Sequence, residues 1–131
     1  YTFIDGNGSY HVYKHCDGYP SGAAEAIAEA LPLAWPLPRF EADEFGAAFI
    51  AGGKRDCGEY RLLSSGDWKE IAPSDIEYRY EIRCQWSEIH VHAYDVDCKD
   101  YHTPQWTEKL LFRGPLEELR KWAKAEELKA S

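Results

Sequence analysis

The 131-residue sequence has no methionine, no Cys-x-x-Cys pair among its four cysteines and no apolar run long enough to span a bilayer. It also lacks a cationic start followed by an apolar block, the mark of a secretory signal, so a cytosolic location is the expectation. A chain that opens on Tyr1 without methionine points to a trimmed start. Positive charge is scarce: 15 Lys and Arg stand against 23 Asp and Glu, a formal charge of −8. Such a surface repels a polyanion, which argues against a duplex nucleic-acid partner and for a protein partner with a basic surface. Widely spaced cysteines exclude a zinc ribbon and a dense disulfide scaffold, leaving free thiols as the expectation for Cys16, Cys57, Cys84 and Cys98. No Gly-x-Ser-x-Gly elbow and no P-loop glycine pattern occurs.

What is present suffices to fold. The chain is 44% hydrophobic and 15% aromatic, enough apolar surface for one domain over residues 1–131 without a structural metal. Tyr1 to Ile4 and Ser9 to His15 read as strands about the turn Asp5-Gly6-Asn7-Gly8. An alanine-rich helix over Ala23 to Leu31 follows, with Ser21 or Asp17 as its cap. A proline-rich connection around Trp35 leads to a second helix from Phe40 to Ala51, stopped by Gly52-Gly53, with Phe45, Ala48 and Phe49 inward. Glu59 to Leu63 reads as a short strand. The strict alternation Ile76, Tyr78, Tyr80, Ile82, Cys84 against Glu77, Arg79, Glu81, Arg83 predicts a strand with one buried and one wet face. Glu88 to Val96 is its hairpin partner; a loop over Cys84 to Ser87 sets Arg83 opposite Glu88, Glu81 opposite His90 and Arg79 opposite His92. Trp106 to Phe112 adds an edge strand. Pro115 then opens a closing helix with Leu116, Leu119, Trp122 and Ala123 on its apolar stripe. The order predicts an α+β domain: an antiparallel sheet of about five strands covered by two to three helices.

Polar groups are densest at the strand-to-helix junction His15-Cys16-Asp17-Gly18-Tyr19-Pro20-Ser21-Gly22. Helix-start N–H groups, the Ser21 hydroxyl and the Lys14 ammonium are the ingredients of an anion or nucleotide site, with Tyr13 or Tyr19 to stack a base. Candidate ligand-binding residues are therefore Lys14, His15, Asp17, Gly18, Tyr19, Ser21 and Gly22. The competing structural reading has Asp17 capping the helix, Gly18 at positive φ and Tyr19-Pro20 as a packed corner. The block resembles one found in small phage- and prophage-encoded proteins, His, any residue, Asp-Gly-Tyr-Pro, matched here at His15, Asp17, Gly18, Tyr19 and Pro20. The resemblance implies a phage origin and carries no activity with it.

His90 and His92, two apart on one strand face beside Glu88, have the spacing from which imidazoles reach one metal ion. Two ligands are too few, so no metal or other cofactor is expected, and a metal-assisted hydrolase using His90 and His92 stands as the alternative function. Cys16 beside His15 forms no nucleophile–base pair on an extended strand, because neighbours point to opposite faces. Glu41, Asp43 and Glu44 on the second helix, and Asp95, Asp97 and Asp100 further on, offer carboxylates to a basic partner, with Trp86 and Trp106 as candidate anchors. The leading expectation is a non-enzymatic, phage-encoded binding protein that antagonises a bacterial defence system. It would do so by occupying a basic protein surface through Glu41, Asp43 and Glu44 or by sequestering a nucleotide signal at the Asp17–Gly22 junction.

Overall fold

A computed structural model describes residues 1–56, 58–100, 102–103 and 105–130. The chain is α+β, with six strands in one sheet: β1 (Thr2–Asp5), β2 (Gly8–Lys14), β3 (Tyr60–Leu62), β4 (Tyr78–Gln85), β5 (Glu88–Asp100) and β6 (Gln105–Pro115). Four helices accompany them: α1 (Pro20–Ala30), α2 (Ala42–Gly53), α3 (Trp68–Ile71) and α4 (Leu116–Ala130). The strand order is β3-β2-β1-β4-β5-β6. Every neighbouring pair is antiparallel except β1 and β4, which run parallel. The sheet is thus mixed, and has one strand more than the alternation alone predicts. Three helices, β2 and β3 separate β1 from β4 in sequence, so the parallel junction has no short-range signal.

The β1–β2 turn is built by Asp5. Its Oδ1 accepts the Asn7 and Gly8 N–H groups at 2.7 and 3.0 Å, and its Oδ2 accepts the Ala42 N–H at 2.8 Å. These three donors hold the Asp5 carboxyl below its usual range. One carboxylate therefore closes the hairpin and satisfies an orphan donor at the start of α2, whose own N-cap, Glu41, makes no side-chain cap.

Phe3 from β1, Val12 from β2, Tyr80 and Ile82 from β4, and Val91 and Ala93 from β5 form the apolar sheet face. Ala23 and Ile27 of α1, Phe45 and Phe49 of α2, and Leu116 and Leu119 of α4 bury against it. Phe3 sits between Phe45 and Phe49, ring centroids 5.9 and 5.3 Å away. The inward set expected on α2 and on the closing helix is the observed one, with Trp122 half-buried. Leu128 lies beyond the stripe, exposed.

The β4–β5 hairpin turns one residue later than expected, which shifts its register by two. Trp86 and Ser87 occupy the turn at φ 49° and 62°, so Gln85 pairs with Glu88, Arg83 with His90, Glu81 with His92 and Arg79 with Tyr94. Two consecutive positive-φ residues are the mark of a two-residue type I′ turn, which asparagine and glycine normally announce. The polar face of this hairpin is not freely solvated either: Arg79 and His90 are buried. The segment between β3 and β4 folds back over it. Leu63 N–H donates to the His11 carbonyl, the His11 ring bonds the Gly66 carbonyl at 2.9 Å, and Trp106 Nε1 donates to the Lys69 carbonyl at 2.8 Å.

Candidate functional site

Beneath that folded-back segment, where β1 begins, a cavity of about 340 Å³ opens between the end of β2 and the start of β4. This lies at the small end of the range for ligand pockets. One wall carries Tyr13, Lys14, His15, Asp17, Gly18 and Tyr19, running from β2 into the loop before α1. The facing wall carries Pro73, Asp75, Glu77, Tyr78 and Arg79, and Trp68 closes the side. Five of the seven residues expected to bind a ligand, Lys14, His15, Asp17, Gly18 and Tyr19, therefore line one cavity. Ser21 and Gly22 do not.

The loop before α1 differs from its sequence reading. Asp17, not Gly18, takes the positive φ, at 56°. The helix begins at Pro20 with Tyr19 as N-cap and no side-chain cap, so neither Asp17 nor Ser21 caps it. Proline at the first helical position needs no N–H partner, which lets the helix start three residues earlier than Ala23. Gly22 is required by close approach, since a Cβ there would lie 2.3 Å from the Asp17 Cγ. Tyr80 Oη donates to the Gly18 carbonyl at 2.6 Å, fixing the loop to the sheet.

The cations at the cavity are already committed. Lys14 Nζ donates to the Cys16 and Asp17 carbonyls, and burial pulls its pKa below the usual lysine value. The Arg79 guanidinium lies 4.5 Å from the Trp68 ring and 4.6 Å from the Tyr94 ring. It bonds Glu81 at 2.7 Å and Glu108 at 3.2 Å, with its side chain 7% exposed. Two of the three Lys14 ammonium donors are thus turned to the chain's own carbonyls. Among the acids, Asp75 accepts the Tyr13 hydroxyl at 3.3 Å. That hydroxyl in turn lies 3.0 Å from His15 Nδ1, so the imidazole N–H donates to it. Burial and the Asp75 charge raise the Tyr13 pKa.

The other candidates lie elsewhere. Glu41, Asp43 and Glu44 sit at the α2 start, tied through Ala42 to Asp5 at the far end of β1 from the cavity. Glu41 pairs with Arg39 at 3.5 Å, Asp43 accepts the Glu44 N–H, and Glu44 accepts the Trp35 N–H at 3.1 Å. Asp97 pairs with Lys99, and Asp100 accepts from His102 and Thr103. Trp86 is 85% exposed, whereas Trp106 is half-buried against Trp68.

His92 lies 3.8 Å from Glu81 and His90 3.9 Å from Glu88. No three His, Cys, Asp or Glu side chains converge on a metal position among the described residues. Cys84 and Cys98 are free thiols, but Cys16 is disulfide-bonded, because spacing along the chain does not report which sulfurs meet in space. Cys57 lies outside the described residues.

Sequence reasoning missed Asp75, Glu77, Trp68 and Arg79 as site residues. Arg79 was visible only as one member of an alternating strand face, and nothing local signalled that residues 63–77 return over it. No helix among the described residues is long and apolar enough to cross a membrane. No family model matches the chain, and no curated protein or solved structure is similar to it.

Proposed function

We propose that this chain is a small acidic protein that works by binding, and that it takes a basic segment of a protein partner into the cavity between β2 and β4. The observation that carries this reading is the charge balance of the lining. Glu81 and Glu108 answer Arg79 from outside the cavity, which leaves Lys14, bonded to two carbonyls, and the Tyr1 amino group, bonded to the Val12 carbonyl, against Asp17, Asp75 and Glu77. Carboxylates beside the Tyr13 and Trp68 rings suit an ammonium or guanidinium, which is attracted to both a ring face and an anion. The alternative of a nucleotide signal held at Asp17–Gly22 is weaker, since its intended cation is occupied and its Ser21 hydroxyl lies outside the lining. A hydrolase at His90 and His92 has no third ligand among the described residues to support it. The phage origin implied by the His15–Pro20 block makes a component of a bacterial defence system the first partner to test.

Thermal unfolding with oligolysine peptides, and in parallel with cyclic and linear nucleotides, tests the reading, because a ligand that prefers the folded state raises the melting temperature. Stabilisation by the peptides, lost in an Asp75→Asn/Glu77→Gln variant and weakened by salt, is expected. Stabilisation by nucleotides alone would refute it.

A further inference from the structure

The polar face of the sheet, toward the β4–β5 turn, gathers four cationic or protonatable side chains in an otherwise acidic chain. Arg83 on β4 stands opposite His90 on β5, and His92 stands opposite Arg113 on β6. Opposed and diagonal neighbours on one face lie within reach of long side chains, so the four form one patch. A β-bulge brings Arg113 there. Tyr94 pairs with Leu110 and Ala93 with Phe112, so the skipped Leu111 turns Phe112 to the helix-covered face and Arg113 to the polar one. None of the four lines the cavity, which lies at the other end of β4.

The patch holds donors that the fold leaves unused. Arg113 is exposed and makes no hydrogen bond or ion pair among the described residues. Arg83 bonds Glu81 through Nη2 at 2.7 Å, but its Nε is buried without a partner, and so is Nε2 of His90, a residue only 8% exposed. Native chains leave few buried polar atoms in that state. The Glu88 carboxylate stands 3.9 Å from His90 Nε2, beyond hydrogen-bond reach, on a side chain 64% exposed and able to swing aside. Glu81, the other acid at the patch, is held by both Arg79 and Arg83. His92 senses the balance of charge: burial and then Arg83 lower its pKa, Arg113 and His90 add to this, and Glu81 alone opposes it. Beside His90 stands Trp86, 85% exposed, its ring centroid 5.7 Å from the imidazole and tilted 66° to it. An indole face is therefore open at the rim of the donors.

We propose that this patch binds a small phosphate monoester, its oxygens accepting from Arg113, Arg83 and the two imidazoles and a flat ring of the ester lying on Trp86. Guanidinium groups match phosphate oxygens in pairs. An imidazole carries its proton on the nitrogen that an oxyanion approaches, and an indole stacks on a planar ring whatever its substituents. The net charge of −8 selects a compact anion over a polyanionic strand, because the patch attracts while the rest of the surface repels. This anion site and the acidic cavity lie apart, so each reading stands or falls alone.

The test titrates the full chain with adenosine monophosphate, inorganic phosphate and adenosine, read by calorimetry and by the imidazole nitrogen signals of His90 and His92. The monophosphate should bind about tenfold more tightly than phosphate, the scale of one aromatic stack, and shift both imidazole signals. Arg113→Gln should weaken monophosphate and phosphate alike about tenfold, the loss of one charge-assisted bond. Glu88→Gln, which removes the competing acid, should tighten both about threefold. Trp86→Asn, suited to the positive φ of that position, should bring the monophosphate down to the affinity of phosphate. Asp75→Asn/Glu77→Gln should leave all of this unchanged, whatever it does to peptide binding at the cavity. Absence of binding by monophosphate and phosphate, or binding indifferent to Arg113→Gln, overturns the proposal. So does a monophosphate that binds no more tightly than phosphate or adenosine, or a single-stranded oligonucleotide that binds more tightly than the monophosphate.

Discussion

Replacing Arg79 by methionine isolates the group that holds the cavity wall to the sheet. The side chain is 7% exposed and bonds Glu81, itself 18% exposed, and Glu108, 31% exposed. Removing one member of a buried ion pair costs about 3–5 kcal/mol, because the remaining charge is left without its partner. Here the lower end applies, since Glu81 keeps Arg83 at 2.7 Å and Glu108 has an outlet to solvent. Methionine retains much of the apolar stem, but stacking of the guanidinium between Trp68 and Tyr94 is lost, a contribution of order 1 kcal/mol. The sum is about 4 kcal/mol, or a fall of roughly 15 °C in melting temperature for a domain of this size. The loss should also be local. Helix α3 buries no residue of its own and is held by the Arg79–Trp68 stack, the Trp68–Trp106 contact and the Trp106 bond to Lys69. Residues 63–77 should therefore exchange amide hydrogens faster in the variant than the β4–β5 hairpin does. Urea unfolding and hydrogen exchange read both effects. A midpoint change equivalent to less than about 1 kcal/mol, or uniform exchange acceleration, would refute the claim that this network pins the wall.

Three further outcomes follow from local geometry. Burial lowers the His11 pKa from 6.5, against the opposing pull of its Gly66 bond and Asp67, and burial with Arg83 lowers that of His92. Both titrate lower in the folded chain than in the unfolded one, so the unfolded chain binds more protons as pH falls through 6.5. Stability should be full above that pH and decline as pH falls toward the folded values; a urea midpoint unchanged from pH 7.5 to 5.5 would contradict this. Trp86→Asn with Ser87→Gly should stabilise the β4–β5 hairpin by about 1 kcal/mol, since both positions hold positive φ and Asn-Gly adopts it with little strain; an unchanged or lower melting temperature would count against the turn. Gly53→Ala places a Cβ 1.8 Å from Tyr60 Oη, and the forced shift should cost about 1–3 kcal/mol despite alanine's better helix propensity, checked by denaturant titration.

The sequence was readable where a pattern is local and one-sided. Tyr80, Ile82, Val91 and Ala93 alternate with polar residues, and Phe45, Ala48 and Phe49 recur at helical spacing, so their inward faces were legible without any partner being specified. The β4–β5 register was not, because Trp86 and Ser87, which hold the positive φ of the turn, are not residues that favour it. Wet alternation likewise implied a solvated face, yet Arg79 and His90 are buried. Burial of a polar strand face depends on what crosses it, and the crossing segment, residues 63–77, has almost no regular structure of its own.

The candidate site divides along the same line. The wall of Lys14, His15, Asp17, Gly18 and Tyr19 is contiguous in sequence, and its density of polar groups singled it out. The direction of its lysine was not legible there: the Lys14 ammonium turns back onto the Cys16 and Asp17 carbonyls. The opposite wall comes from residues some sixty positions away, brought near by the parallel β1–β4 pairing.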